Sequence, residues 1–355
     1  MPAIPSSGAV SLTDLSTEFG GTAPHSMSEY YRNGDNVPDN NSNVPTSGRI
    51  RFSDWRGAIN QIALNAVNAT NLDVSTLFGS DWTSTVPKKL TVGSGVTIGG
   101  TGSSAALIIP SNMAGTLEIY NVGNIIGFGG SANGGAGGTA ISNAASGVTV
   151  TNLGLLAGGG GGGGLAGNGG TGGNGSYTTT SSSGAQYQCA GSSNGWKFYY
   201  GSSNNWFYNG SQNPTDCSYV KGGSAGFCQF IDDTGHYITR NCSSTVNTTG
   251  GSGGAGGNGG VGQGYNQSNT SGASGSGGSS GGTNAGAGGS GGTGGSGGTY
   301  GSSGASGASG NSGANGNVSN GSSGSSGASG GAAGAAVAGT TVTMSNSGTL
   351  YGSVA

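Results

Sequence analysis

The sequence predicts an irregular, mainly β fold with almost no α-helix. Short solenoid-like strand rungs lead into a bundle of polyglycine II (polyproline II) helices, interrupted by a disulfide-rich loop insertion. Three observations carry this expectation. Glycine supplies 85 of 355 residues and the charged types only 6%. Leu, Ile, Val and Phe make up roughly 15% of the chain, under the ~20% of an ordinary globular core. From Gly286 to Gly316 glycine stands at every third place without a miss, and three residues per turn is the period of polyproline II.

The same composition narrows function. A net charge of −3 leaves no basic cluster for nucleic acid. No stretch of eighteen apolar residues is present, so no membrane insertion is expected. Met1-Pro-Ala-Ile-Pro lacks the basic and apolar regions of a secretory signal.

Residues 1–58 carry an imperfect repeat. Ile4-Pro-Ser-Ser-Gly-Ala-Val-Ser-Leu-Thr-Asp-Leu15 returns forty residues later as Val44-Pro-Thr-Ser-Gly-Arg-Ile-Arg-Phe-Ser-Asp-Trp55. Ser26-Met-Ser-Glu-Tyr-Tyr31 is a shorter echo. Each copy reads as a Pro/Gly turn, a short strand and one helical turn capped by Thr13, Ser28 or Ser53. Eight of the twelve acidic residues lie in the first ninety. The segment reads as a small solvated module with little core of its own.

Residues 59–156 are β-rich, with Val92–Ile98, Ala106–Ile109 and Leu117–Ile119 as short strands broken by Gly, Ser and Pro. A second repeat runs through Thr116–Gly127, Val148–Gly158 and Val342–Gly352. Its pattern is an alternating strand, then Asn-x-Gly-x-(Ile/Leu)-x-Gly. Alternating apolar residues facing inward describe a solenoid rung. The last copy, in 336–355, is expected to return and pack beside the first two.

Residues 157–175 and 250–335 form the glycine bundle. Isolated polyproline II makes no internal hydrogen bonds, but segments laid side by side bond to each other where glycine lets backbones approach. Gly286, Gly289, Gly292, Gly295, Gly298, Gly301, Gly304 and Gly307 are the expected packing positions, in segments of about ten residues or ~30 Å. Turns are expected near 282–285 and 317–320, where the register slips. Collagen is excluded, since every proline lies at or before Pro214. A flexible linker would hold no register, and it would not exclude every charge after Arg240.

Residues 176–249 break the pattern with 13 of the 25 aromatics and all four cysteines. Cys189, Cys217, Cys228 and Cys242 lack a Cys-x-x-Cys pair, so two disulfides are preferred to a metal site; three connectivities remain open. Trp196, Tyr199, Tyr200, Trp206 and Tyr208 are the candidate binding residues, because Tyr and Trp give rigid contact area with a polar tip. Their bland alternative is a local core. His236 beside Asp232 and Asp233 is the sole catalytic-looking cluster, and it reads more readily as an exposed polar loop. Gly158–Gly164 lacks the Lys-Ser/Thr of a phosphate loop. No enzyme, cofactor or metal is expected.

The paired N-terminal motifs resemble the N-terminal module of tailed-phage virion proteins, notably marine ones. The Asn-x-Gly units leading into glycine runs resemble the glycine-rich tail-fibre adhesins of T-even-like phages. The resemblance implies a tail fibre or tail-tip adhesin of the virion, assembled in the host cytoplasm, released by lysis and possibly homotrimeric. Docking to other virion proteins is implied for the first module, through Leu12, Asp14, Leu15, Phe52, Asp54 and Trp55. A host surface protein or glycan is implied as receptor. A head fibre or decoration protein is the near alternative. An ice-binding polyproline II bundle is the alternative of another class, and a polysaccharide depolymerase using Asp216, Asp232 or Asp233 is third.

Overall fold

The computed structural model describes residues 4–355 except 35, 39–40, 187–188, 193–194, 201–204, 209–216 and 223–236, and the side chains of 181–243 lie outside the description. The fold is mainly β, with two short α-helices among the described residues.

The N-terminal repeat folds the same way three times. Helix α1 (Leu12–Phe19) is capped by Ser11, whose hydroxyl accepts from Asp14 N while the Asp14 carboxylate accepts from Ser11 N at 2.7 Å. The 3₁₀ turn Met27–Tyr30 repeats this with Ser26 and Glu29, and in Phe52–Trp55 the Asp54 carboxylate accepts from Arg51 N. The caps, Ser11, Ser26 and Arg51, therefore each fall two places before Thr13, Ser28 and Ser53. The repeated acidic residue is what fixes them, by satisfying an N–H that each helical turn leaves free.

The module also builds more core than its length suggests. Ile4, Leu15, Phe19, Tyr30, Val37, Val44 and Trp55 are buried together, and Trp55 Nε1 donates to Tyr30 O at 3.1 Å.

Three parallel sheets follow. The first orders β1 (Ile62–Asn65), β4 (Lys88–Val92), β7 (Leu117–Asn121), β10 (Val148–Asn152) and β19 (Thr343–Asn346). The second orders β2 (Ala69–Thr70), β5 (Thr97–Gly99), β8 (Asn124–Ile126), β11 (Leu155–Ala157) and β20 (Thr349–Tyr351). The third orders β3 (Leu72–Asp73), β6 (Leu107–Ile109), β9 (Ile141–Asn143) and β18 (Val337–Gly339). Neighbours in the first two sheets are three strands apart up to β11, so each layer of chain adds one strand to each sheet.

Inward residues stack on their equivalents in the next layer. Leu90, Ile119 and Val150 are in register in the first sheet, and Ile98, Ile125 and Leu156 in the second; all six are fully buried. The C-terminal repeat lands on β10 and β11, with Val150 opposite Met344 and Leu156 opposite Leu350.

The Asn-x-Gly of each unit has a structural cause. Asn121 Nδ2 donates to Asn152 Oδ1 and Asn152 Nδ2 to Asn346 Oδ1, both at 2.7 Å. A Cβ on Gly154 would lie 2.1 Å from Gly123 O, so only glycine lets the layers close up there.

Helix α2 (Val74–Phe78) and the 3₁₀ turn Gly79–Thr83 cover one flank of this core with Val74, Phe78 and Trp82. The sequence reading passed over them. Their signals are Asp73 as cap, apolar residues four apart and Gly79 as the stop.

Beyond Ala157 the chain leaves the sheets and runs as extended segments that are neither helix nor strand. They span about 157–174, 250–263, 268–282, 285–299, 302–316 and 320–335. Backbone bonds link them at every third residue. Gly160, Gly163, Ala166, Gly169 and Gly172 donate to Gln263, Gly260, Gly257, Gly254 and Gly251, an antiparallel pairing. The same central segment donates from Gly161, Gly164, Gly167, Gly170 and Gly173 to 302–314, and accepts from both 286–301 and 322–334. One segment therefore bonds to four others, a bundle rather than a sheet.

The reversals at 282–284 and 317–319 are where the glycine register slips. Two more lie around 264–267, where glycine lapses between Gly264 and Gly272, and around 299–302, which no slip marks. Segments are accordingly closer to fourteen residues than ten. Of the eight named glycines, Gly301 stands in a turn at φ +62 with a built Cβ 2.3 Å from Gly352 N, and at the other seven a neighbouring carbonyl lies within 2.4 Å of a built Cβ.

Candidate receptor-binding end of the bundle

The far end of the bundle is built from two reversals and the roots of the insertion. Asn284 sits at φ +59, a left-handed position that asparagine tolerates better than most side chains. Its Nδ2 donates to Ser176 O at 3.0 Å. Asn317 grips the same residue from the next reversal: Ser176 N donates to its Oδ1 at 2.8 Å and its Nδ2 donates to Ser176 O at 2.9 Å.

The returning leg is fixed in the same way. Thr248 Oγ1 donates to Thr283 O at 2.7 Å, and Gly250 N donates to Asn174 Oδ1 at 3.2 Å. All of these groups are neutral amides and hydroxyls. They hold the insertion without placing a charge between close-packed backbones, where desolvation would penalise it.

From these roots rises a long two-stranded arm. β12 (Gly175–Gln186) pairs antiparallel with β17 (Tyr237–Thr248), from Gly175 opposite Thr248 to Gln186 opposite Tyr237. Twelve residues of strand reach about 40 Å. Within the insertion lie β13 (Cys189–Ser192), β14 (Gly195–Tyr200), β15 (Asn205–Tyr208) and β16 (Cys217–Gly222). β13, β14 and β15 form one antiparallel sheet, and β16 joins β17.

Trp196, Tyr199 and Tyr200 fall on β14, and Trp206 and Tyr208 on β15, with Tyr199 opposite Trp206. Their side chains lie outside the described residues, as do those of Cys189, Cys217, Cys228 and Cys242 and the cluster of His236, Asp232 and Asp233. The backbone register sets Cys217 opposite Cys242. Among the described residues no group of three His, Cys, Asp or Glu converges as a metal site, and no helix is long and apolar enough to cross a membrane.

With this geometry in view, comparison with known proteins is informative. Residues 60–246, just over half of the chain, match the family described as phage tail fibre adhesin Gp38. The chain belongs to this family.

A solved structure similar to the adhesin is the gp37–gp38 adhesin tip complex of the bacteriophage S16 long tail fiber. It is 16% identical, with 87% of this chain and 89% of that chain covered and a TM-score of 0.32. No curated protein matches the sequence.

The matched region takes in all but the last strand of each parallel sheet, the first glycine segment and nearly all of the insertion, and begins after the N-terminal module. In that module four of the six residues expected to dock have internal work to do. Leu15 and Trp55 are fully buried in the module's core. Asp14 and Asp54 cap helical turns, and the hydrogen bonds from Ser11 hold the Asp14 carboxyl below its ordinary value. Leu12 packs partly against the core, which leaves Phe52 as the exposed apolar residue of the six.

Proposed function

We propose that this adhesin recognises a host surface protein or glycan through the insertion 176–249, presented at the far end of a stiff glycine bundle. The observation carrying this reading is the anchoring of the insertion. Both legs are pinned by Asn174, Asn284, Asn317 and Thr248 to reversals of the bundle, so the arm is held out from a rigid base. A preorganised arm loses less entropy on binding than a floppy one.

In this reading the hydrogen bonds at every third residue are those of polyglycine II helices, and the three parallel sheets are solenoid rungs closing the bundle's near end. Residues 1–58 attach the chain to other virion proteins. Two disulfides among Cys189, Cys217, Cys228 and Cys242 would staple the loops of the insertion.

The test is replacement of 177–248 by a short Gly/Ser bridge, followed by competition of purified protein with phage for host cells. Loss of competition with an unchanged melting temperature is expected. Full competition by the deleted form would move the receptor site to the bundle turns or the N-terminal module.

A further inference from the structure

At the opposite end of the bundle from the insertion, the second sheet carries a groove. Its floor is the outward row Thr97, Asn124, Leu155 and Thr349, in register across four layers. Asn124 Nδ2 donates to Thr97 Oγ1 at 3.1 Å along that row. The walls are the two reversals around 264–267 and 299–302.

Those reversals deliver Tyr265 and Tyr300, and the last strand delivers Tyr351. The Tyr300 and Tyr351 rings lie 6.1 Å apart, tilted by 32°. Tyr265 lies flat on Gly99, where a Cβ would fall 2.3–2.5 Å from three ring carbons, so one ring face is braced by backbone.

Two cavities share Tyr300 as their divide. One, of about 560 Å³, also takes in Gln263, Tyr351 and two threonines; the other, of about 430 Å³, takes in Asn68, Asn266 and Tyr265. No residue lining either cavity is charged. Burial pushes the Tyr300 hydroxyl above its ordinary pKa, so it stays a neutral donor at physiological pH.

Aromatic faces, side-chain amides and hydroxyls in one open groove are a chemistry that selects among ligands. Anions and cations find no counter-charge. A purely apolar chain would bury Asn and Gln without partners, at the cost such burial carries. A neutral saccharide offers both an apolar ring face to stack and hydroxyls to bond.

We infer that the groove between Tyr265, Tyr300 and Tyr351 is a second binding site of this adhesin, for a neutral oligosaccharide. It lies about a bundle length, roughly 40 Å at 3.1 Å per residue, from the insertion roots. A site there would hold the flank of the adhesin against a surface glycan while the arm engages its own receptor.

The test uses the full chain with linear tetrasaccharides of glucose, galactose and N-acetylglucosamine, read by saturation-transfer NMR and calorimetry. At least one should bind, with an affinity insensitive to salt. Tyr351 is 45% exposed, so Tyr351→Ala should keep the melting temperature and weaken binding about tenfold, the scale of one stacked ring. Tyr300→Phe, which keeps the ring, should retain the stacking part. Binding of none of the three, or binding undiminished in Tyr351→Ala, would overturn the assignment. So would capture of a virion protein at this groove in place of sugar. The readout involves neither cells nor the insertion, so it stands or falls independently of the receptor reading.

Discussion

Gly295 is buried within the bundle, and replacing it by alanine tests whether glycine is there for packing. A Cβ at this position would stand 2.0 Å from Ala305 O and 2.7 Å from Ala305 C. Ordinary contact begins above about 3 Å, so segments 285–299 and 302–316 must part by roughly 1 Å. Ala305 N donates to Ser296 O and Ala308 N to Thr293 O, both at 2.8 Å. A parting of about 1 Å would carry both beyond hydrogen-bond reach. Each bond is worth about 1 kcal/mol net, and a buried group left unpaired costs about 1–3 kcal/mol more. Gly295→Ala should therefore destabilise by about 2–4 kcal/mol. Gly277 is the control, since a Cβ there meets nothing within 4 Å. Gly277→Ala should be neutral or stabilise by up to about 1 kcal/mol, because alanine narrows the unfolded ensemble. Calorimetric melting of both variants and the parent checks the pair. Equal melting temperatures for Gly295→Ala and Gly277→Ala would refute close packing and return the region to a loose chain.

Two further outcomes test the rest of the fold. Lys88 is 1% exposed, and its Nζ donates to the carbonyls of Ser84, Val86 and Ala114 at 2.6, 3.0 and 2.8 Å. Lys88→Met keeps the stem but orphans three acceptors, and should cost about 2–4 kcal/mol in denaturant titration. Asp14 has its folded pKa held below 3.8 by Ser11, so its capping contribution is present above pH 3.8 and lost as the pH falls through the lower folded value. Asp14→Asn should remove that part of the acid transition, measured by melting between pH 5 and pH 2, and leave the neutral-pH fold intact.

What the sequence made legible is what repeats. The Asn-x-Gly units were readable because the same two requirements recur at each layer: an amide that can both donate and accept along the stack, and a glycine where layers nearly touch. Asn121, Asn152 and Asn346 meet the first, and Gly123 and Gly154 the second. Once the three copies were aligned, the return of the chain end to β10 followed. The turn at 264–267 falls where glycine lapses between Gly264 and Gly272, but the turn at 299–302 was not legible, because glycine serves two purposes that spacing cannot separate. Gly298, Gly301 and Gly304 keep the period, yet Gly301 turns the chain at φ +62 while its neighbours pack. Nor was the tyrosine groove legible, since it joins residues from a turn at 265, a turn at 300 and the last strand. The docking residues are a different case. Repetition of Leu15 and Trp55 marked a core position used twice, and a repeated residue buried inside its own unit says nothing about partners.

The bundle carries one more message in its letters, in how many glycines each triplet holds. Segments 268–282, 302–316 and 320–335 keep mostly one glycine in three, and two of every three residues are exposed. Segments 250–263 and 285–299 keep mostly two in three and expose one. Gly158–Gly164 is glycine throughout, and there built Cβ atoms meet carbonyls of three other stretches: Gly295 and Gly298 in 285–299, Ala328, Gly331 and Gly334 in 320–335, and Phe128 and Ser131 before β9. The cause is geometric. Along segments that bond to their neighbours at every third residue, residues three apart meet the same neighbour, and every direction that holds a neighbouring backbone must be free of Cβ. Glycines per triplet therefore count occupied directions, and depth in the bundle can be read from the sequence without a contact map. By that count the centre is 158–164, the segment that emerges directly from β11. The sheets and the bundle thus share one axis of support, and a defect at 158–164 would loosen every glycine segment, whereas one in 268–282 would disturb only the outside.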